Sequence, residues 1–334
     1  MVGAGVAVGR GALRPFNPFR DMPAVTSLLV RVFGAELQSD AIAGWRSLSW
    51  IARHPEMSWL WLGFDAWFDG ELAGFVWLED GRVVGNANVA PAGAGGRQWV
   101  VSNVAVEPAF RGRGIAGSLL RACLDHAGSH GARKLLLQVW AKNAAARHLY
   151  ERQGFRIVSH FERLECSPAA AKPATGETVP STYHWRPARA RDYHALAGVS
   201  ACLMSHEAQV LRPSMALAFR EGSWDWLRSL AARLGLAQAV GREVLCEGEA
   251  ISGALAMCAP QERRSRLAAL LLPSAEERLA VFVAERAAAL AARAQAERVT
   301  CDLPGSLPRL ADELAGRGFA RVDSLLQMVL ELGS

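Results

Sequence analysis

The stretch FRGRGIA, residues 110–116, sets Arg111, Gly112, Arg113 and Gly114 directly ahead of an apolar-periodic run. Glycines at a strand-to-helix turn let the backbone approach a ligand closely. The first free N–H groups of a helix, with its dipole, favour an anion. The chemistry that suits this turn is the holding of a phosphate or pyrophosphate. Its spacing R-x-x-G-x-A (Arg111, Gly114, Ala116) departs from the dinucleotide fingerprint G-x-G-x-x-G and from the P-loop G-x-x-x-x-G-K-[ST]. NAD and ATP readings lose support accordingly. The six cysteines, Cys123, Cys166, Cys202, Cys246, Cys258 and Cys301, form no C-x-x-C or Cys/His cluster, which argues against a disulfide framework and a structural metal.

The elements around the turn follow from periodicity. GFVWLEDGRVVGNANV (74–89) reads as two strands joined at Asp80-Gly81, a strong hairpin cue. A central strand is expected from Trp99 to Val106. Ile115, Leu119, Cys123 and Ala127 recur at helical spacing, so FRGRG joins a strand to a helix. KLLLQVW (134–140) is a further strand, and residues 143–153 form a second helix with Asn143 placed as its N-cap.

At 334 residues the chain is long for one domain. LRPFNPFRD (13–21) and HWRPARARD (184–192) both read as a strand entering a helix, while LYERQGFRIV (149–158) and ELAGRGFARV (313–322) both read as a helix end, a Gly and a new strand. These pairs recur at offsets of 172 and 164 residues, which implies duplication. The Pro/Ala/Thr-rich stretch 167–182 is the expected linker between domains at 13–166 and 183–334. Residues 1–12 are expected to be a disordered tail without the features of a secretory signal. Apolar residues make up 51% of the chain and charged residues 21%, enough for packed cores, and no run reaches the length of a membrane span. A net charge of +5 without a basic block argues against nucleic acid as a partner. A cytoplasmic protein that binds neither nucleic acid nor membrane is expected.

VAVEPAFRGRGIAGSLL from Val104, followed by N-x-x-A-x-x-L-Y-x-x-x-G-F from Asn143 to Phe155, resembles both signature segments of the GNAT superfamily of N-acetyltransferases. The resemblance covers residues 13–166 and extends more weakly to the second half. It implies an α/β (α+β) fold of two tandem GNAT-like domains, each a mostly antiparallel mixed sheet flanked by helices. It also implies acetyl-CoA as co-substrate and no metal. The strand at Val104, Ala105 and Val106 would splay from its neighbour, pair with the pantetheine arm and polarise the thioester carbonyl. The N–H groups of Arg111, Gly112, Arg113, Gly114, Ile115 and Ala116 would hold the pyrophosphate. Asn143 would lie near the pantetheine and Tyr150, two helical turns on, near the sulfur.

An acetyl transfer needs an unprotonated amine and a proton for the departing thiolate. Tyr150 is the expected acid, since a phenol of ordinary pKa near 10 stays protonated at pH 7. Gln98 to Val106 contains no carboxylate, and Glu107 just beyond reads as a solvated turn residue. Water-mediated deprotonation or an acceptor of low pKa therefore stands beside Glu107 as the route for the amine proton. His148 is two residues from Tyr150 and points elsewhere.

In the second half, aligning Pro273 with Pro108 puts Glu276 and Glu277 at the places of Arg111 and Gly112, and Leu279 and Val281 at those of Gly114 and Ala116. Leu307 and Leu314 match Asn143 and Tyr150. Charge and bulk both argue against acetyl-CoA binding there. Mycothiol-synthase-like chemistry, which would imply an intact second site, is set aside for that reason. Trp45, Trp50, Trp59, Trp61 and Trp67 either shape the acceptor pocket or pack as core. The expected activity is acetyl transfer to a primary amine of a small-molecule or amino-acid-like acceptor. A protein or peptide acceptor, or a non-catalytic acyl-CoA sensor, stays open.

Overall fold

The computed structural model describes residues 7–8, 11–34, 73–92, 95–173, 180–211, 215–219, 241–258 and 263–333. The five clustered tryptophans lie outside these. Two compact units emerge. One takes Met1–Gln138, Ala145–Arg156 and Met328–Ser334, and the other Val139–Ala144 and Ile157–Gln327. The division thus does not fall at one point of the chain.

In the first unit β1 (Ala7–Val8), β2 (Gly11–Pro15), β3 (Ala73–Glu79), β4 (Arg82–Ala92), β5 (Gln98–Val106) and β6 (Lys134–Trp140) lie in sequence order, antiparallel up to β5 and parallel between β5 and β6. The stretch expected to fray is partly sheet: Ala7 pairs with Ala12 and Val8 with Gly11. Backbone pairing of such small residues needs no side-chain pattern, so composition did not announce it. Gly11 is fixed by packing, because a Cβ there would stand 2.5 Å from the Trp77 indole nitrogen. Asp80 and Gly81, at φ 48° and 76°, make the primed hairpin turn that their types favour.

Helix α1 (Pro18–Phe33) buries Met22, Val25, Leu28 and Leu29 against Val76 and Ala105. Helix α2 (Ile115–Ser129) covers the opposite face and buries the expected Ile115, Leu119, Cys123 and Ala127. Gly85 of β4 lets it approach, since a Cβ there would sit 2.9 Å from Leu119. Helix α3 (Ala144–Arg152) leads into β7 (Arg156–Cys166).

In the second unit β8 (Tyr183–Pro187), β9 (Gly241–Glu247), β10 (Ala250–Met257), β11 (Arg264–Leu271) and β12 (Arg298–Pro304) repeat the same plan, antiparallel to β11 and parallel between β11 and β12. Helices α4 (Tyr193–Leu203), α5 (His206–Leu211), α6 (Glu276–Ala292) and α7 (Pro308–Gly316) accompany it, and β13 (Ala320–Glu331) begins in this unit and passes into the first at Met328. β7 pairs antiparallel with β12, from Val299–Cys166 to Pro304–Phe161.

The duplicated R-P motifs are duplicated clasps. Arg14 grips Asp21 through two bonds of 2.6 Å, and Asp21 also accepts the Asn17 N–H. Arg186 grips Asp192 at 2.6 and 2.9 Å, and Asp192 accepts the Arg189 N–H. Each arginine further donates to the carbonyl of the next proline. A buried carboxylate thus ties each first strand to the helical segment that follows it.

Candidate active site

The splay expected from the resemblance is present in the register. β5 and β6 pair at Gln98–Lys134, Trp99–Leu135 and Val100–Leu136, and the pairing stops there. On its other side β5 stays bonded to β4, but with a bulge. Asn86 faces Ala105 and Asn88 faces Ser102, so Asn103 and Val104 together oppose Ala87. Asn103 adopts φ 57°, a left-handed conformation that asparagine tolerates better than most residues.

The Glu107 N–H donates to the Val84 carbonyl at 2.8 Å. Alternation along an antiparallel ladder then turns the backbone of Ala105 towards β4 and that of Val104 and Val106 towards the open side. Of the three residues singled out from the sequence, Val104 and Val106 offer backbone groups to the gap. Ala105 instead buries its side chain under α1. The Val106 carbonyl is met by Arg111 Nε at 3.2 Å.

Beyond β5, Gly112 and Gly114 have φ 77° and 78°, and a Cβ on either would meet nothing within 4 Å. Gly114 is the N-cap of α2, and the first protein bond at this end runs from the Ser118 N–H to the Gly114 carbonyl at 3.1 Å. Among the described residues, the N–H groups of Gly112, Arg113, Gly114, Ile115 and Ala116 have no acceptor in the protein. That leaves a row of donors, running from the exposed Gly112 to the buried Ile115 and on to Ala116, at the positive end of a fifteen-residue helix, where an anion is favoured. Arg113 lies 4.9 Å from the Phe110 ring centre, which parks its charge beside the turn.

Asn143 stands immediately before α3, and its N–H donates to the Trp140 carbonyl at 2.9 Å. Tyr150 is the buried residue of that helix. Its ring lies 6.0 Å from Phe155, and Gly154 at φ 90° ends the helix while the Phe155 N–H returns to the Tyr150 carbonyl. Leu149 reaches within 3.8 Å of a Cβ placed on Gly117, so α3 rests on the first turns of α2. Burial, helped by the Cys123 thiol, pushes the Tyr150 phenol up to about 12. Cys123 itself is pushed up to about 12 by burial. Glu107 is taken by Arg31 of α1 at 2.7 Å, and His148 is exposed.

Sequence reasoning missed the side chains that hold the bulge. Asn86 Nδ2 donates to the Asn88 carboxamide oxygen at 2.9 Å and to the Asn103 carbonyl at 3.1 Å, and Asn103 Nδ2 donates to the same Asn88 oxygen at 3.2 Å. The signal was available in GNANV, where polar residues occupy alternate positions of a strand whose neighbours are all apolar. A separate groove of about 330 Å³ beside α1, lined by Arg14, Arg20, Arg31 and Arg82, contains none of the candidate acetyl-CoA-binding or catalytic residues.

The positions in the second unit that correspond to the turn are filled. Glu276 is buried and its carboxylate accepts the Leu310 N–H at 3.0 Å, while Glu277 pairs with Arg309. Leu307 and Leu314, at the places of Asn143 and Tyr150, are both fully buried.

The geometry is a parted strand pair leading to a donor-lined turn. Residues 39–155 match the model of the acetyltransferase (GNAT) family. Mycothiol acetyltransferase of Propionibacterium freudenreichii subsp. shermanii is 34% identical over 109 residues, 31% of this chain and 29% of that protein. Streptothricin acetyltransferase of Streptomyces lavendulae is 38% identical over 76 residues, 23% of this chain and 40% of that one. The chain spans less than two thirds of the length of these curated relatives. A GCN5-related N-acetyltransferase from Sphaerobacter thermophilus superposes with a TM-score of 0.62 at 15% identity, over 98% of this chain and 97% of that one. A tandem GNAT protein from the clavulanic acid biosynthesis pathway does so with 0.55 at 16%, over 97% and 99%. The matched segment is thus similar to the GNAT acetyltransferase family, and the chain has the fold of tandem GNAT proteins.

Proposed function

We propose that the first unit binds acetyl-CoA and transfers its acetyl group to the primary amine of a small-molecule or amino-acid-like acceptor. The observation that carries this is the parting of β5 from β6 after Val100, in line with the unoccupied N–H groups of the 112–116 turn. The backbone of Val104 and Val106 would take the pantetheine arm, with Ala105 holding the strand under α1. The N–H groups of Gly112, Arg113, Gly114, Ile115 and Ala116 would hold the pyrophosphate, while Arg111, whose own N–H donates to the Pro108 carbonyl at 3.3 Å, would add only its guanidinium. Asn143 would contact the pantetheine.

In the reaction the amine nitrogen attacks the thioester carbonyl, the C–N bond forms and the C–S bond breaks. One proton leaves nitrogen and one reaches sulfur, and Tyr150 supplies the second. A phenol at about 12 is a weak acid for a thiolate of ordinary pKa near 8.5. The Cys123 thiol in the same surroundings supports the pairing, because burial lifts that thiol to about 12 as well. A sulfur leaving beside Tyr150 would meet a proton donor of matched strength. With Glu107 engaged by Arg31, the amine proton is assigned to water.

The test is thiol release from acetyl-CoA over a panel of amino acids, polyamines, aminoglycosides and peptides. Streptothricin and the unacetylated form of mycothiol belong in it because of the relatives' names. Amine-dependent release that falls about 100-fold in Tyr150→Phe supports the reading. Release that the Phe variant leaves unchanged removes Tyr150 as the acid, and binding without release for any amine makes the protein an acyl-CoA sensor.

A further inference from the structure

We propose that Asn86 is a positioning residue for acyl transfer, clamping the Asn103–Val104 peptide so that the Val104 N–H points at the thioester carbonyl. The inference rests on the acyl-transfer reading above and adds to it a residue outside both signature segments.

The argument starts from a peptide plane. Among the described residues every peptide is trans, so the carbonyl of Asn103 and the N–H of Val104 point in opposite directions. The carbonyl is drawn towards β4 by Asn86 Nδ2 at 3.1 Å. The N–H is thereby turned to the side where β6 has parted, the position of an oxyanion donor for a thioester lying in the gap. A bulge residue in the left-handed region has no regular ladder to hold its peptide, so a side-chain donor is the natural means of fixing it. Because a backbone carbonyl can only accept, the Asn103 oxygen also decides which end of the Asn86 amide faces it.

The neighbours are built around this clamp. Asn88 offers one oxygen to both Asn86 and Asn103, closing a ring of three carboxamides. Gly74 makes room for it, since a Cβ there would stand 2.6 Å from Asn88 Nδ2. The arrangement carries a cost: Asn86 is fully buried, and its Oδ1 has no hydrogen-bond partner among the described residues. Burying an unmatched carbonyl beside Val76 and Ala105 is unfavourable, and an apolar residue there would avoid it. Three polar side chains kept in an apolar layer at the one bulge facing the gap point to use in the reaction.

The test compares wild type with Asn86→Leu and Asn86→Val, two apolar residues that suit a buried strand and cannot donate to the Asn103 carbonyl. Isotope-edited infrared spectra of ¹³C-acetyl-CoA bound to each protein read the polarisation directly. Turnover gives kcat and KM separately. The expectation is a carbonyl band shifted to lower frequency in wild type and unshifted in the variants. We also expect kcat to fall roughly 100-fold, while KM for acetyl-CoA stays within about threefold. A variant that binds acetyl-CoA with the band still shifted, or with kcat within threefold of wild type, overturns the clamp. So does failure of both variants to fold, which would make the role structural. If wild type itself binds no acetyl-CoA, the acyl-transfer reading fails, an outcome separable from the others.

Discussion

At the scale of residues, the proposed acid role of Tyr150 predicts a pH behaviour. Burial raises its phenol from an ordinary 10 to about 12, so the protonated form needed by an acid is retained throughout the range in which the protein is assayed. kcat/KM should therefore rise with pH as the acceptor amine loses its proton, and show no falling limb below about pH 10. A rate profile from pH 6 to 10 with one acceptor checks this, and a descending limb near pH 8 would assign the acid to another group. The same residue scale holds what the sequence concealed. Tyr150 and the glycines of the turn stood out because their types are unusual for their places. The carboxamide ring did not, because Asn86, Asn88 and Asn103 meet only once a bulge brings two strands into an irregular register.

At the scale of elements, the two clasps and the glycine turn each make a prediction. Burial pushes the Asp21 carboxyl up, but the Arg14 guanidinium and the Asn17 N–H outweigh it and hold it below the ordinary range. Asp192 is lowered too, first by Arg186 and against the effect of burial. A carboxyl lowered on folding contributes stability above its unfolded pKa and loses it as pH falls through the folded value, so both clasps should weaken below about pH 4. Arg14→Ala leaves the buried Asp21 with only the Asn17 N–H and the more distant Arg20, at 4.0 Å, and should cost about 3 kcal/mol in urea unfolding at pH 7, with a smaller difference from wild type at pH 3. Equal losses at both pH values would contradict this. For the turn, Gly112→Ala and Gly114→Ala place a side chain in the left-handed region at roughly 1–2 kcal/mol each, with no clash inside the protein. The Kd for acetyl-CoA should rise about tenfold by calorimetry while the fold persists. These elements were legible in advance because apolar spacing marks α2, and Asp80-Gly81 marks the hairpin. The pairing of β7 with β12 was not, since period and length name a strand but not its neighbour.

At the scale of the molecule, one chain plan is used twice and the two copies differ at the strand-to-helix turn. The first leaves five N–H groups open at the start of α2. The second carries its own anion: Glu276, at the position matching Arg111, gives its carboxylate to the Leu310 N–H in the first turn of α7. A helix N-terminus stabilises that charge as it would a phosphate, and Arg309 pairs with Glu277 outside it. Duplication was readable from the R-P and Gly-Phe pairs alone. The carboxylates of the second copy were readable as charge, though not the contact that one of them makes with α7. Calorimetric titration should accordingly give one acetyl-CoA per chain. Glu276→Ala should leave that stoichiometry at one and lower stability by about 1–3 kcal/mol, because the residue holds α7 rather than guarding a vacant site. Gain of a second binding event in the variant would mean that a single carboxylate closes an otherwise competent cleft. Leu279 and Val281, where Gly114 and Ala116 stand in the first copy, argue that it does not.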